Sequence, residues 1–397
     1  MKVYMDNSAT TRMLSEVVEA MQPHFTEKYG NPSSLHYMGI EAERAVDESR
    51  AKLAECINAE PYEIIFTGSA TEANNLAIVG ACHAGRKKII TSEIEHSSVG
   101  KVIRNMERRG FETVFIGVDE EGFVDLKELE KKVDGNTALV SIIHANHEIG
   151  TIQNLEAIGK MCKEKEVLFH SDASQSFTKV PIDVKKFGVD LLTLNSHKIH
   201  GPKGVGALYV RKEVKLEKQV HGGMQERNWR AGTENVAGMV GFAKAAEIGV
   251  REMKRNVAKM QKLRNALVEG LLRIENAQLN GPESDDKRLC NIANITFNYV
   301  EGEALLMRLS EQGICVSTGS ACSSKSLQPS HVLKALGLKH EQAHGSLRFS
   351  LSKFNSSEEV NYVIKMVEKE VAELRKLSAY APGKKAGYYE EREQAFE

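Results

Sequence analysis

Four stretches of the chain hold residues whose types and spacing suit chemistry. Leu194-Asn195-Ser196-His197-Lys198-Ile199-His200-Gly201 places Lys198 just past an expected strand, at the edge where open α/β sheets bind their ligands. A lysine that forms a Schiff base must be reachable, and burial or neighbouring cations must lower its proton affinity; His197 and Lys203 could supply such neighbours. A polar surface turn accounts for the same residues. Asp172, in His170-Ser171-Asp172-Ala173-Ser174-Gln175, also ends a β-rich run, where a carboxylate could pair with a protonated ring nitrogen or cap a helix. The run Phe66-Thr67-Gly68-Ser69-Ala70-Thr71-Glu72-Ala73-Asn74-Asn75 follows a strand and opens a helix. Small residues and free N–H groups at the positive end of a helix suit an anion, and the run equally suits a helix capped by Ser69 or Thr71. Lastly, Cys322 stands in Ser317-Thr318-Gly319-Ser320-Ala321-Cys322-Ser323-Ser324, a segment that reads as polar, exposed and mobile. Cys315, within an apolar run, reads as a packing residue.

These residues need a scaffold, and the pattern around them describes one. Short apolar or β-branched runs predict strands at 63–67, 88–91, 113–118, 139–145, 167–171, 191–194 and 206–210. Amphipathic helices at 126–133 and 155–165 fall between them, the alternation of a mainly parallel sheet with covering helices. Beyond about residue 255 the pattern changes to a helix at 260–274, strands at 294–298 and 346–351, and a last helix. In that last helix Val360, Val363, Ile364, Val367, Val371 and Leu374 form one apolar stripe, with Ser356 or Ser357 as N-cap. Ser330 is expected to cap a short helix that stops at Gly337. Few core-forming residues occupy 381–397, which reads as a loosely held tail.

Composition narrows the function classes. The 397 residues are 41% hydrophobic and 27% charged, as in a soluble globular protein, and 53 basic against 54 acidic residues offer no bulk attraction to nucleic acid or anionic lipid. No apolar run approaches the ~20 residues that span a bilayer and no secretory pattern opens the chain, so no membrane association and a cytoplasmic location are expected. Six scattered cysteines without a C-x-x-C pair argue against a disulfide framework. The pairs His144/His147 and His197/His200 lack the H-E-x-x-H arrangement of a zinc site.

Taken in order, Tyr4-Met5-Asp6-Asn7-Ser8-Ala9-Thr10-Thr11, Gly68-Ser69-Ala70-Thr71-Glu72, Glu95-His96, Ala145-Asn146-His147-Glu148-Ile149-Gly150-Thr151, Asp172-Ala173-Ser174-Gln175, Ser196-His197-Lys198, Arg230-Ala231-Gly232-Thr233 and Ser317-Thr318-Gly319-Ser320-Ala321-Cys322 resemble the motifs of the pyridoxal-phosphate cysteine desulfurases of the NifS/IscS group, class-V aminotransferases. The likeness runs over about residues 3–377. It implies an α/β protein of fold type I, with a large cofactor domain at 16–255 built on a mainly parallel seven-stranded sheet, and a smaller α+β domain from 1–15 and 256–380 that carries the cysteine loop.

It implies a cytoplasmic homodimeric transferase that removes sulfur from L-cysteine, leaves L-alanine and passes a Cys322 persulfide to an acceptor. The acceptor would be an iron–sulfur scaffold protein or another sulfur carrier; selenocysteine lyase or another pyridoxal-phosphate-dependent β-elimination is the alternative reaction. By the same resemblance Lys198 holds pyridoxal 5′-phosphate, His96 stacks on its ring, Asp172 meets the pyridine nitrogen and Gln175 the phenolic oxygen. Ala70, Thr71, Asn195, Ser196 and His197 surround the phosphate, with Thr233 reaching that of the neighbouring subunit. Asn7, Asn146 and Arg348 would hold the substrate, Asn146 also touching the cofactor, and Cys322 could share a nascent cluster's iron with a scaffold. Two positions depart from the pattern: Asn195 replaces a small serine, and His147 a second asparagine.

Overall fold

The computed structural model describes residues 1–82, 85–318 and 329–378. Its strands, in chain order, are β1 (Val3–Tyr4), β2 (Ile64–Thr67), β3 (Lys88–Ser92), β4 (Glu112–Ile116), β5 (Thr137–Ser141), β6 (Leu168–Asp172), β7 (Leu191–Asn195), β8 (Gly206–Val210), β9 (Ala277–Asn280), β10 (Ile292–Phe297), β11 (Ile314–Cys315), β12 (Ser317–Thr318) and β13 (Ser346–Ser350). All seven strands expected before residue 255 form, and they make one seven-stranded sheet in the order β2-β8-β7-β6-β5-β3-β4. Only β8 runs antiparallel to its neighbours, β2 and β7. The other contacts are parallel.

Both faces of this sheet are buried, which is why its strands read as unbroken apolar runs. Successive residues point to opposite faces. Ile64 and Phe66 therefore join a core with Val46 and Leu53 of the helix Tyr37–Glu55 and Phe242 of the helix Val236–Arg251. Ile65 joins the opposite core with Leu76 and Ala77 of the helix Ala70–Ala81 and Val99 and Ile103 of the helix Ser97–Glu107. Because β2, β3, β5, β6 and β7 all run the same way, their C-terminal ends meet along one edge, where such sheets bind ligands.

A second sheet, β12-β13-β10-β9, is antiparallel throughout. The helices Met253–Leu271, Gly302–Glu311 and Ser357–Leu377 supply Leu267, Leu305 and Val363 to its core. Ser356 caps the last helix and exchanges a capping box with Glu359, while Val360, Val363, Val367 and Val371 are buried. Ser330 likewise caps the helix His331–Ala335.

The start of the chain ties the two sheets together. Parallel pairing joins β1 to β11, and Val3 and Met5 enter the core of the second sheet. A few residues on, Thr11 N donates to His197 O at 3.0 Å and Leu14 N to His200 O at 3.1 Å, on the active edge of the first sheet.

Two local expectations are corrected. The helix expected at 260–274 spans Met253–Leu271, because Glu252 is both the end of the preceding helix and the start of this one, a one-residue joint that apolar spacing does not reveal. Cys315 is exposed rather than packed: in β11 Ile314 points inward, so strand alternation turns the next side chain out.

Candidate active site

The edge of the large sheet opens into a cavity of about 1010 Å³ lined by Lys198, Asp172, Gln175, His96, Asn195, His197, Ala70, Thr71 and Arg348. All but Arg348 come from the ends of the large sheet's strands or the turns and helix starts that follow them. Asp172 is the last residue of β6, and Lys198 closes the single 3₁₀ turn Ser196–Lys198 that follows β7. His96 caps the helix Ser97–Glu107 after β3. Ser69 caps the helix Ala70–Ala81 after β2, accepting from Glu72 N at 3.1 Å. Arg348 sits on β13 and reaches the cavity from the second sheet.

The Lys198 amine donates to the carbonyls of Ser8 and Ala9, the latter at 2.8 Å. Asp172 is only 4% exposed. Its Oδ1 accepts from Ser174 N at 2.9 Å and its Oδ2 from Asn74 Nδ2 at 2.8 Å. Gln175 Nε2 donates to the Ser8 carbonyl at 3.0 Å. Arg348 donates from Nη2 to Asp6 Oδ1 at 2.9 Å and from Nη1 to the His147 carbonyl at 3.1 Å, while its buried Nε has no protein partner.

Burial makes the histidines of the site poor bases. It lowers His96, with Lys198, His331 and Arg348 adding to the effect against Asp172, and it lowers His147 still further. Burial and then Lys198 and Lys203 bring His197 to about 4. Two carboxyls move the other way. Burial raises Glu95 to about 8 and Glu148 to about 7, against hydrogen bonds from Ser92 and Ser330 respectively. Neither was singled out from the sequence for a role of its own; burial of an acid is a property of the fold.

The residues fit a pyridoxal 5′-phosphate. A reachable lysine and a buried carboxylate share the cavity, and the buried Asn195 Oδ1 in its lining has no hydrogen-bond partner among the described residues, whereas Ser196, expected at the phosphate, is buried outside the lining. The cradle is shaped for close approach: a Cβ on Gly206 would lie 2.7 Å from Ser69 C and 2.9 Å from Ala70 N. Only glycine lets β8 pass beneath that helix start.

Not every expected residue faces the cavity. Asn146 is fully buried and its amide is used internally: Nδ2 donates to Ile94 O at 2.9 Å, and Oδ1 accepts from Glu148 N at 2.8 Å and Ile149 N at 3.0 Å. Its neighbour His147 lines the cavity instead, its ring edge-on to His96 with centroids 5.0 Å apart. Asn7 donates to Ser350 O at 2.9 Å, tying β1 to β13, and lies outside the lining. Thr233 is exposed and also outside it. Cys322, as nucleophile or as a shared iron ligand, and the tail 381–397 lie outside the described residues. Among the described residues no group of three His, Cys, Asp or Glu is placed to hold a metal.

Comparison with known proteins agrees over nearly the whole chain. The class-V aminotransferase family matches residues 3–363. A cysteine desulfurase IscS of Methanosarcina thermophila is 49% identical over 383 residues, 96% of this chain and 94% of the relative. One from Dictyoglomus turgidum is 47% identical over 383 residues, covering 96% and 97%. A solved NifS-like protein superposes with a TM-score of 0.89 at 41% identity, covering 94% of this chain and all of that one.

Proposed function

The chain belongs to the class-V aminotransferase family, in its cysteine desulfurase group, and from that premise we propose how its residues take sulfur from L-cysteine. It is a pyridoxal-phosphate-dependent sulfurtransferase; the selenocysteine lyase alternative is not favoured, since the relatives are named cysteine desulfurases. The observation that carries the division of labour is the meeting of Lys198, Asp172, His96 and Arg348 in one cavity.

Lys198 would hold the cofactor, with Asp172 at its ring nitrogen, Gln175 at its phenolic oxygen, His96 against its ring, and Ala70, Thr71, Asn195, Ser196 and His197 around its phosphate. When bound, pyridoxal 5′-phosphate supplies an electron sink for the carbanion formed at the substrate α-carbon. Arg348 takes the substrate carboxylate, a planar partner its guanidinium matches with parallel N–H bonds. The carbonyls of Ser8 and Ala9 give the Lys198 amine a resting place within reach of the α-carbon, from which it takes and returns a proton. The Cys322 thiolate then bonds to the substrate sulfur as the Cβ–S bond breaks and its electron pair stays with the carbon. The net exchange converts L-cysteine and a thiol into L-alanine and a persulfide, with no outside oxidant.

The persulfide is passed on to an iron–sulfur scaffold protein or another acceptor. The fold divides functionally into 16–255, and 1–15 with 256–380. The active form is a cytoplasmic homodimer in which Thr233 reaches the partner's phosphate. Supporting the dimer, Phe25, Tyr29, Leu35, Tyr37 and Ile40 expose large apolar side chains within sixteen residues, Leu35 at 96%. No helix among the described residues is long and apolar enough to cross a membrane.

The test uses L-cysteine with a reductant: alanine and sulfide should form in equal amounts. Cys322→Ala should retain bound cofactor and lose sulfide release. Full sulfide release by that variant would overturn the nucleophile assignment.

A further inference from the structure

Asp172 and His96 come from different strand ends, yet one line of hydrogen bonds joins them. Asn74 Nδ2 lies 2.8 Å from Asp172 Oδ2 and 2.8 Å from Ser98 Oγ, and Ser98 Oγ lies 2.8 Å from His96 Nδ1. Asn74 is on the first turns of the helix Ala70–Ala81 and Ser98 on the first turn of the helix Ser97–Glu107. Asn74 is fully buried and Ser98 nearly so.

The chemistry of the donors fixes every proton in the line. An ionised carboxylate only accepts, so the Asn74 atom facing Asp172 must be its NH₂ group. That group has two hydrogens and spends the second on Ser98 Oγ, leaving Asn74 Oδ1 buried without a partner. Having accepted from Asn74, Ser98 Oγ can direct its own hydrogen to His96 Nδ1. The backbone N–H of Ser98 points at the same nitrogen from 3.1 Å, and a backbone N–H can only donate. Nδ1 therefore carries no hydrogen, its single lone pair being shared by the two donors. Burial, which lowers the proton affinity of His96, favours the neutral ring, whose single proton is then on Nε2.

We propose that Asn74 and Ser98 are positioning residues for the desulfurase reaction, holding the Asp172 carboxylate and the His96 ring in register and fixing His96 as the tautomer that presents an N–H at Nε2. The proposal rests on the assignment of Asp172 and His96 to the cofactor ring. At one end of the line, Asn74 and Ser174 fix the carboxylate plane, one on each oxygen, which leaves the carboxylate's remaining lone pairs for the ring nitrogen. At the other end, the imidazole meets the contents of the cavity as a hydrogen-bond donor. Asn74 lies outside the cavity lining and Ser98 touches it, and the sequence separations of 24 and 98 residues hide the line from any local motif.

Three measurements on the full-length holoenzyme test it. In protein labelled with ¹⁵N-histidine, the His96 signal, identified by its loss in His96→Gln, should show a bare Nδ1 and a protonated Nε2 at neutral pH; a protonated Nδ1 would overturn the proposal without any variant having to fold. Asn74→Leu and Ser98→Ala should shift the cofactor's visible absorption band and lower kcat about 10- to 100-fold, the worth of a hydrogen bond to a charged or catalytic group, with KM for L-cysteine within about threefold. Ser98→Thr, which keeps the hydroxyl, should recover most of kcat. Wild-type spectra and kcat in Asn74→Leu would reject the line. If instead Asp172→Asn and His96→Gln also kept wild-type spectra and turnover, the underlying site assignment would be at fault.

Discussion

The Arg348 guanidinium is tied to the Asp6 carboxylate, Nη2 to Oδ1, at 2.9 Å. The pair crosses from β13 to the segment after β1, and with the His147 carbonyl on Nη1 it holds the guanidinium in one orientation while Nε stays unpartnered. On the proposed function, a substrate carboxylate would meet a prepared, planar donor. Arg348→Lys keeps the charge and loses the fork, so KM for L-cysteine should rise about 10- to 100-fold with a smaller fall in kcat. Steady-state rates across L-cysteine concentrations decide this, and an unchanged KM would remove Arg348 from carboxylate binding.

Lys198→Ala should lose the visible absorption of the bound cofactor together with all but a trace of activity. Absorption spectra of the purified variant after incubation with pyridoxal 5′-phosphate provide the check. A wild-type spectrum would assign the attachment to another lysine.

The buried Glu95 predicts a pH dependence of stability whose sign can be worked out. Burial raises its carboxyl from the ordinary value to about 8, so between roughly pH 4.5 and 8 the folded protein keeps a proton that the unfolded chain has released. Its contribution is complete below the unfolded pKa and is lost as pH rises through that window. His144 and His170, which burial lowers to about 4, act oppositely between about pH 4 and 6.5. Their effects cancel in a comparison of wild type with Glu95→Gln. Urea unfolding at pH 5 and pH 8 should show the variant gaining stability relative to wild type at the higher pH; a constant difference would contradict the assignment.

Arg50 donates to both oxygens of Glu226, at 2.8 and 2.7 Å, and to the Ile64 carbonyl, while Glu226 also accepts from Phe66 N. The pair clamps the helix Tyr37–Glu55 and a segment of three consecutive positive-φ residues, Glu226, Arg227 and Asn228, onto β2. Arg50→Ala leaves a buried carboxylate without its cation and should cost about 3–5 kcal/mol of stability. Chemical denaturation measures it, and a loss below about 1 kcal/mol would mean the clamp contributes little.

The large sheet was legible in the sequence because its strands are buried on both faces and read as apolar runs. β1, β11 and β12 were not: two residues each carry no period. The same shortness misled the reading of Cys315, whose apolar neighbours suggested burial while alternation faced it outward. Lys198, Asp172 and His96 could be expected from motifs, since each stands at or within four residues of a strand end. Asn146 shows the limit. The resemblance gives it a substrate contact, but the tight turn at Glu148 and Ile149 takes its amide oxygen, and His147 is the neighbour that lines the cavity. Asn74 and Ser98 belong to the same limit, since only the packing of two helices brings them together.

The bond between Asn7 and Ser350 closes a loop of 343 residues. The residues that shelter the Lys198 amine are thus also tied to a strand that emerges far later in the chain. Loop-closure entropy and high contact order make that docking a late event in folding. A growing chain could complete its seven-stranded sheet before this anchor exists, so the cavity is closed from both sheets only when two segments far apart in sequence meet.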